Sequence, residues 1–225
     1  MAYNKETAMK KSICIASVPE RQDMLRKTVE SLKGQYDNLY VALNNYPEIP
    51  SFLKNAEVVQ LDNSMGDAGK FWFVEHLQGY VFTCDDDLIY PPDYVKYMVQ
   101  GAVRYGCAVT LHGKTYPRPF KSFNEPIGNY RCLDAVDSDG WVDVGGTGVM
   151  AWHTADLKIK YSDFGSKNMA DCWFARVCHE QGVKIMCLTH KKDNLVYQHP
   201  QDTVWIQERA KGFKEQTKIL KSFLP

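Results

Sequence analysis

The sequence predicts an α/β fold: one domain with a mostly parallel central sheet and helices on both faces. Three observations predict it. Short apolar runs rich in Ile and Val alternate with amphipathic segments through the first half of the chain. Gly and Pro stand at the boundaries between them. The 225 residues suffice for one substantial core and are few for two.

The elements follow in order. Ile13 to Val18 is a short apolar run, read as a buried strand. Arg21 to Lys33 carries Met24, Leu25, Thr28, Val29 and Leu32 on one helical face, and Gly34 closes it. Leu39 to Leu43 and Val58 to Leu61 are the second and third strands. Gly69 to Gln78 reads as a helix with Phe71, Val74 and Leu77 inward. Tyr80 to Cys84 is the fourth strand. Pro91 and Pro92 start a further helix, because the first helical turn has no intrahelical N–H bonds to lose. Its apolar stripe is Tyr94, Val95, Met98, Val99, Ala102 and Val103. Cys107 to Leu111 is the fifth strand.

The second half is less periodic. His112 to Arg131 reads as a long loop rich in Pro, Gly, Tyr and Lys, of the length that is usually functional or mobile, and a lid is one reading of it. Met169 to Gln181 is a helix ended by Gly182, and Val183 to Leu188 a strand. Asp202 to Phe223 has the pattern of a lysine-rich amphipathic helix. The first 11 residues are polar and read as a flexible leader before a domain spanning 12–225.

Composition narrows the classes. Lys plus Arg equals Asp plus Glu at 27 each, so charge gives no support to a nucleic-acid coating protein. The 7 cysteines are odd in number; Cys14, Cys84, Cys107 and Cys187 lie in apolar runs. They read as reduced thiols used as small core residues, which implies a cytoplasmic chain. No zinc-type spacing, signal peptide or membrane-spanning run is present.

The acidic triplet Asp85-Asp86-Asp87 closes the fourth strand. Adjacent carboxylates repel, so stability alone does not recommend them. Asp85 and Asp87 are one strand period apart and leave on the same side if the extended conformation continues. Two such oxygen-rich side chains suit a hard divalent cation, Mg²⁺ or Mn²⁺, able to neutralise a diphosphate leaving group. A solvated acidic turn is the plain alternative.

The run Ser12 to Arg21, the stretch Asp62-Asn-Ser-Met-Gly-Asp-Ala-Gly-Lys70 and the run Tyr80 to Asp87 come in an order and spacing that resembles family-2-like glycosyltransferases of the GT-A fold. The resemblance implies a single GT-A, Rossmann-like domain with a nucleotide-binding half at about 12–111 and an acceptor-side half at about 112–225. It implies transfer of a sugar from a nucleotide-sugar donor to an acceptor hydroxyl, with Mn²⁺ or Mg²⁺ and inversion at the anomeric carbon. Ala16, Ser17, Val18 and Arg21 would line the nucleotide site, with Asn44 or Asn45 at the base or ribose. Asn-Asn-Tyr-Pro is equally a turn sequence.

Asp67 and Lys70 would meet the diphosphate at a glycine-led helix start. The family more often has arginine in place of Lys70, which offers a planar fork rather than a point charge. Asp87 would ligate the metal, Asp85 would serve ribose and metal, and Asp86 belongs to the same nucleotide-side set without an assigned role. The segment Gly145-Gly146-Thr147-Gly148 would face the donor sugar and acceptor, Gly146 and Thr147 above all; a hairpin or bulge is the structural alternative. Asp171 matches the family's catalytic-base position, with Asp163 as a substitute, although Ala170 stands where an acid is common. His199 would complete the metal site, with His190 as its rival.

Two other functions fit the alternation: a nucleotidyltransferase, and a binding module without catalysis. Against the former, Ser17 to Arg21 lacks a glycine-rich loop. The acceptor stays open among a glycan, a lipid-linked glycan and a modified nucleic-acid base. Lys114, Arg118, Lys121 and Arg131, mixed with Tyr116, Phe120, Phe123 and Tyr130, would suit any of them.

Overall fold

The computed structural model describes residues 9–200 and 209–225. Its centre is a sheet of eight strands. In chain order these are β1 (Lys11–Ser17), β2 (Asn38–Asn44), β3 (Glu57–Leu61), β4 (Tyr80–Asp85), β6 (Ala108–Thr110), β9 (Gly140–Val142), β11 (Val149–His153) and β12 (Ile185–Cys187). The spatial order is β3-β2-β1-β4-β11-β6-β12-β9. β1, β2, β3 and β4 run parallel, and so do β6 and β12; β11 and β9 run against their neighbours.

Apolar residues face both ways from this sheet, so each face needs a cover. Helices α1 (Gln22–Leu32) and α2 (Tyr94–Tyr105) cover one face, with Leu25, Leu32, Tyr94 and Met98 among its fully buried side chains. Burying each of these is worth about 1.5–3 kcal/mol, which outweighs modest helix propensity. Gly106, at φ 58°, ends α2 in a left-handed cap. The other face is covered by α3 (Ala170–Glu180), α4 (Lys214–Lys221) and a 3₁₀ segment, Gly66–Phe71. There Phe71, Trp152 and Phe174 form an aromatic cluster; the Phe71 and Trp152 ring centres lie 6.2 Å apart and those of Trp152 and Phe174 5.2 Å.

Two smaller sheets sit at the same end of the molecule. β5 (Leu88–Ile89) pairs with β13 (Val196–Tyr197), and β7 (Gly113–Thr115) lies between β8 (Gly128–Tyr130) and β10 (Val144–Gly145). The chain lays β2 and β3 to one side of β1 and then returns with β4 on the other, which makes the β1/β4 junction a topological switch point. In open α/β sheets ligands bind outside the carboxyl ends of the strands at such a point.

Several sequence expectations need correction. The helix expected at Gly69–Gln78 is replaced by two 3₁₀ pieces, Gly66–Phe71 and Val74–His76. Gly66 sits at φ 59°, and Gly69 packs so closely on Ala42, Ala16 and Asn44 that the segment tightens instead of forming full turns. His112–Arg131 is not a structureless loop: it holds β7 and β8, and its turn is tied down by Phe123 N–H donating to Thr217 Oγ1 at 3.1 Å and Phe120 N–H to Pro225 O at 2.8 Å. The helix expected from Asp202 falls partly outside the described residues; within them it is broken at Gly212 and Phe213, both at positive φ, and resumes only as α4. All seven cysteines are free, and all but Cys132 are buried.

Candidate active site

The strand ends supply the floor of the site. β1 ends at Ser17, β2 at Asn44, β4 at Asp85 and β6 at Thr110, all on one edge of the sheet. Ala16 lies beside Asp85 in the β1/β4 register. β11 runs the opposite way, so the Gly146–Gly148 approach to it arrives at this same edge: Val149 pairs with Cys84. The candidates from distant parts of the sequence meet here because the topology brings their strand ends together.

The acidic triplet does not continue as a strand. Asp85 is the last residue of β4, and Asp86 and Asp87 form a turn into β5. The period-two reason for pairing Asp85 with Asp87 therefore fails. A different division holds. Asp85 accepts from Lys70 Nζ at 2.5 Å, with the lysine side chain 2% exposed and the aspartate 44%. Arg21 bridges the other two, its guanidinium 3.0 Å from Asp86 and 3.1 Å from Asp87. Thr28 Oγ lies within 2.9 Å of the Asp86 carbonyl and 2.7 Å of the Leu88 carbonyl, which ties the turn to α1. Gln198 N–H donates to the Asp87 carbonyl at 2.9 Å.

Electrostatics follows from this packing. Burial pulls the Lys70 ammonium down, but Asp85, with Asp67 behind it, outweighs burial and holds it above the ordinary lysine value. Asp87 is pushed up to about 7, first by burial and then by repulsion from Asp85 and Asp86, against the pull of Arg21 and Lys70. Three carboxylates face two cations in this corner. When Asp87 is ionised, one negative charge is in excess.

Lys70 lies in the last turn of its 3₁₀ segment, not at a helix start as the sequence suggests. Asp67 is half-buried, with Oδ1 sealed from solvent and without a hydrogen-bond partner. Asn44 is buried, and its Nδ2 donates to the Gly66 carbonyl at 3.0 Å, so its side chain serves to anchor the Lys70 segment. Asn45 is exposed at φ 60°. Ser17 Oγ is 3.1 Å from Tyr46 Oη, and Val18 precedes the 3₁₀ turn Pro19–Arg21 that aims Arg21 at the triplet.

Asp171 lies in the first turn of α3 and is joined to the triplet through a short chain of contacts. Its Oδ1 accepts from both Thr147 N–H and Thr147 Oγ1 at 2.7 Å. Next in sequence, Gly148 packs flat against Asp85; a Cβ there would collide with the Asp85 carboxylate. Gly146 is equally close-packed, on the His112 ring. Tyr90 Oη donates to the Gly148 carbonyl at 2.5 Å and receives the Asp85 N–H at 2.9 Å, which fixes the glycine segment to the end of β4.

Other candidates are placed elsewhere. His190 is buried, its ring nitrogens at 2.8 Å from Leu188 O and 3.3 Å from Arg131 O, a structural use. Asp163 accepts from Lys160 N–H at 2.7 Å and closes a 3₁₀ turn. His199 is exposed and packs edge-on to Tyr197, next in sequence to the Gln198 that binds the Asp87 carbonyl. Sequence reasoning missed Tyr90, Tyr46 and His112. Only Tyr90, directly after the triplet's turn and β5, carried a positional signal. A separate groove of about 600 Å³ lined by Arg118, Trp141, Cys178, His179 and Phe223 opens at the other end of α3; of the candidate residues only Arg118 lines it.

Among the described residues no three His, Cys, Asp or Glu side chains cluster as a protein-only metal site. A Mg²⁺-type ion does not need one: it is usually held by one or two carboxylates together with substrate phosphates. The excess charge at Asp85 and Asp87, beside a partly exposed Asp85, fits an ion shared with a diphosphate in that manner.

The fold and the site edge define a GT-A-like, Rossmann-type domain. No protein-family model and no curated protein sequence matches the chain. Among solved structures it is similar to residues 1–349 of S. aureus TarS, at 14% identity and a TM-score of 0.50, over 82% of this chain and 59% of that one. It thus spans about three fifths of that relative, which has also been crystallised with UDP-GlcNAc. It is similar to 4-diphosphocytidyl-2C-methyl-D-erythritol synthase from Anaerococcus prevotii, at 11% identity and a TM-score of 0.52, over 91% of this chain and 99% of that one. A mycobacterial protein matches at 13% identity and a TM-score of 0.56, over 97% of this chain and 76% of that one. At such identities the shared property is the fold. No described helix is long and apolar enough to cross a membrane.

Proposed function

We propose that this chain is a metal-dependent glycosyltransferase that moves a sugar from a nucleotide-diphosphate sugar to an acceptor hydroxyl with inversion. The observation that carries the reading is the chain of contacts from Asp85 through Gly148 and Thr147 to Asp171. It sets a charge-excess corner suited to a metal diphosphate beside a carboxylate suited to proton abstraction.

In this reading Ala16, Ser17, Val18 and Arg21 line the nucleotide, and Asp67 and Lys70 flank the diphosphate. Asp85 and Asp87 would hold Mn²⁺ or Mg²⁺ together with the diphosphate, and the ion would supply charge neutralisation for the departing group; His199 is not gathered with them into a three-ligand cluster among the described residues. Thr147 takes up Asp171 Oδ1 twice, so Oδ2 is the oxygen that accepts the acceptor's proton. Backbone at Gly146 and Gly148 lets the sugar approach closely, because no side chain intervenes. Asp171 sits in the first turn of α3.

The test is release of nucleoside diphosphate from a panel of nucleotide sugars with and without Mn²⁺. Asp171→Asn is expected to lower turnover by roughly 10²–10⁴-fold while leaving metal-dependent donor binding in place. Release of pyrophosphate from a nucleoside triphosphate instead would favour the nucleotidyltransferase. Donor binding unaccompanied by any turnover, and indifferent to Asp171→Asn, would identify a binding module.

A further inference from the structure

The basic residues of the 112–131 segment are not alike once folded. Arg118 is paired with Asp143 at 2.7 Å, and Arg131 with Asp134 at 3.6 Å. Lys121 is exposed. Lys114 is different: it is half-buried, and its Nζ lies 3.9 Å from the centre of the Phe123 ring. It has no hydrogen bond or ion pair to any described residue. The His112 ring, also half-buried, has no hydrogen-bond partner among the described residues either.

Strand alternation places these two side chains together. A Cβ on Gly113 would strike Val142, so Gly113 faces the packed side of β7. His112 and Lys114 flank it and leave by the opposite face. His112 lies against Gly146, whose neighbour Thr147 holds Asp171. The same face of β7 is thus turned toward the first turn of α3. A cation half out of water, with an aromatic ring beside it but no hydrogen-bonded or ion-paired anion, is expensive unless a partner arrives. Burial pulls the Lys114 ammonium down, and Asp171 and then Cys172 push it back.

We infer that Lys114 and His112 form an anion subsite beside Asp171, which receives a phosphate ester or carboxylate carried by the acceptor. The acceptor role rests on the glycosyltransferase reading; the subsite does not. Lys114 donates to the anion, His112 contributes a second donor, and the Phe123 ring positions the ammonium. The acceptor hydroxyl is thereby brought to Asp171 by its own charged neighbour. A neutral glycan would leave Lys114 without a partner.

The test uses the full chain free of metal and nucleotide, where the charge-excess corner repels anions. Histidine ring resonances are followed by NMR while inorganic phosphate, or acetate in a second series, is added at constant ionic strength. His112 is assigned from the spectrum of His112→Gln. A saturable shift of His112 is expected, with phosphate and acetate ranking the two sources of the anion. Lys114→Met should weaken that binding about tenfold, and Lys114→Arg should retain most of it. Thermal melts confirm that both variants fold. The inference is overturned if neither anion moves His112, or if Lys114→Met binds as wild type does. Should nucleotide sugars fail to bind with Mn²⁺ while phosphate still moves His112, the subsite stands and the transferase reading falls.

Discussion

Asp67 shows how much chemistry one residue can hold when its surroundings are set by distant parts of the chain. Its carboxyl is pushed up to about 7 from an ordinary 3.8, by burial first, with Asp171 and Asp85 adding to it and Lys70 opposing. Between those values the folded chain binds a proton that the unfolded chain has released. Stability contributed by that proton is full below the unfolded value and is lost as pH rises through 7. Asp67→Asn removes the titration. Its melting temperature should gain on wild type as pH goes from 5 to 8, by about 2–4 °C per kcal/mol of relief. Parallel melting curves across that range would show that Asp67 does not hold the proton. The triplet stood out by residue type at a strand end, whereas Asp67, Lys70 and Asp171 came from the family resemblance; the fold puts Lys70 on Asp85 and links Asp171 to the same corner through Thr147 and Gly148. Their pairings were not legible. Arg21 takes Asp86 and Asp87 together, and Asn44 is diverted to the Gly66 carbonyl, through contacts that span 65, 66 and 22 residues.

At the scale of elements, legibility tracked local periodicity. α2 and β4 have a full stripe or a full apolar run, and the structure has them within a residue or two of the expected bounds. The 3₁₀ segment Gly66–Phe71 and the three-residue strands β7 and β8 have neither. β7 exists because Lys114 pairs with Val144 and Gly113 with Gly145, partners that no local window contains. The Gly146–Gly148 segment is the element on which the site depends most. Its glycines are needed for close approach rather than for a left-handed turn, since none of them has positive φ. Gly148→Ala would drive a methyl group into the Asp85 carboxylate. The expected result is a cost of about 1–3 kcal/mol in stability, as for other overpacked sites. The displaced Asp85 should also lose metal-dependent nucleotide binding by at least roughly tenfold. Calorimetry with Mn²⁺ and a nucleoside diphosphate measures the second effect. Normal binding in a destabilised Gly148→Ala would separate the glycine segment from the metal corner.

For the whole molecule, the charge arrangement makes a claim about linkage. Arg21 and Lys70 already offset two of the three carboxylates, so a free diphosphate meets a corner of negative excess and gains no unpaired cation. A metal ion alone meets two carboxylates and no third protein ligand from a preassembled cluster among the described residues. Each ligand by itself should therefore bind weakly, and each should supply what the other lacks. That is a positive coupling, and by reciprocity the nucleotide must tighten the metal as much as the metal tightens the nucleotide. Ligands that bind only the folded state stabilise it by mass action, about 2.7 kcal/mol at a hundred times the dissociation constant. For a chain of this size that is a rise of roughly 5–10 °C in melting temperature. Nucleoside diphosphate with Mn²⁺ should produce such a rise, and the sum of the two separate rises should fall well short of it. Asp85→Ala should abolish the joint effect while leaving Lys70 buried without its partner, so its own melting temperature should drop as well. If the two ligands act additively in the wild type, the charge-excess corner is not a shared metal and diphosphate site, and the triplet returns to being an acidic turn neutralised by Arg21 and Lys70.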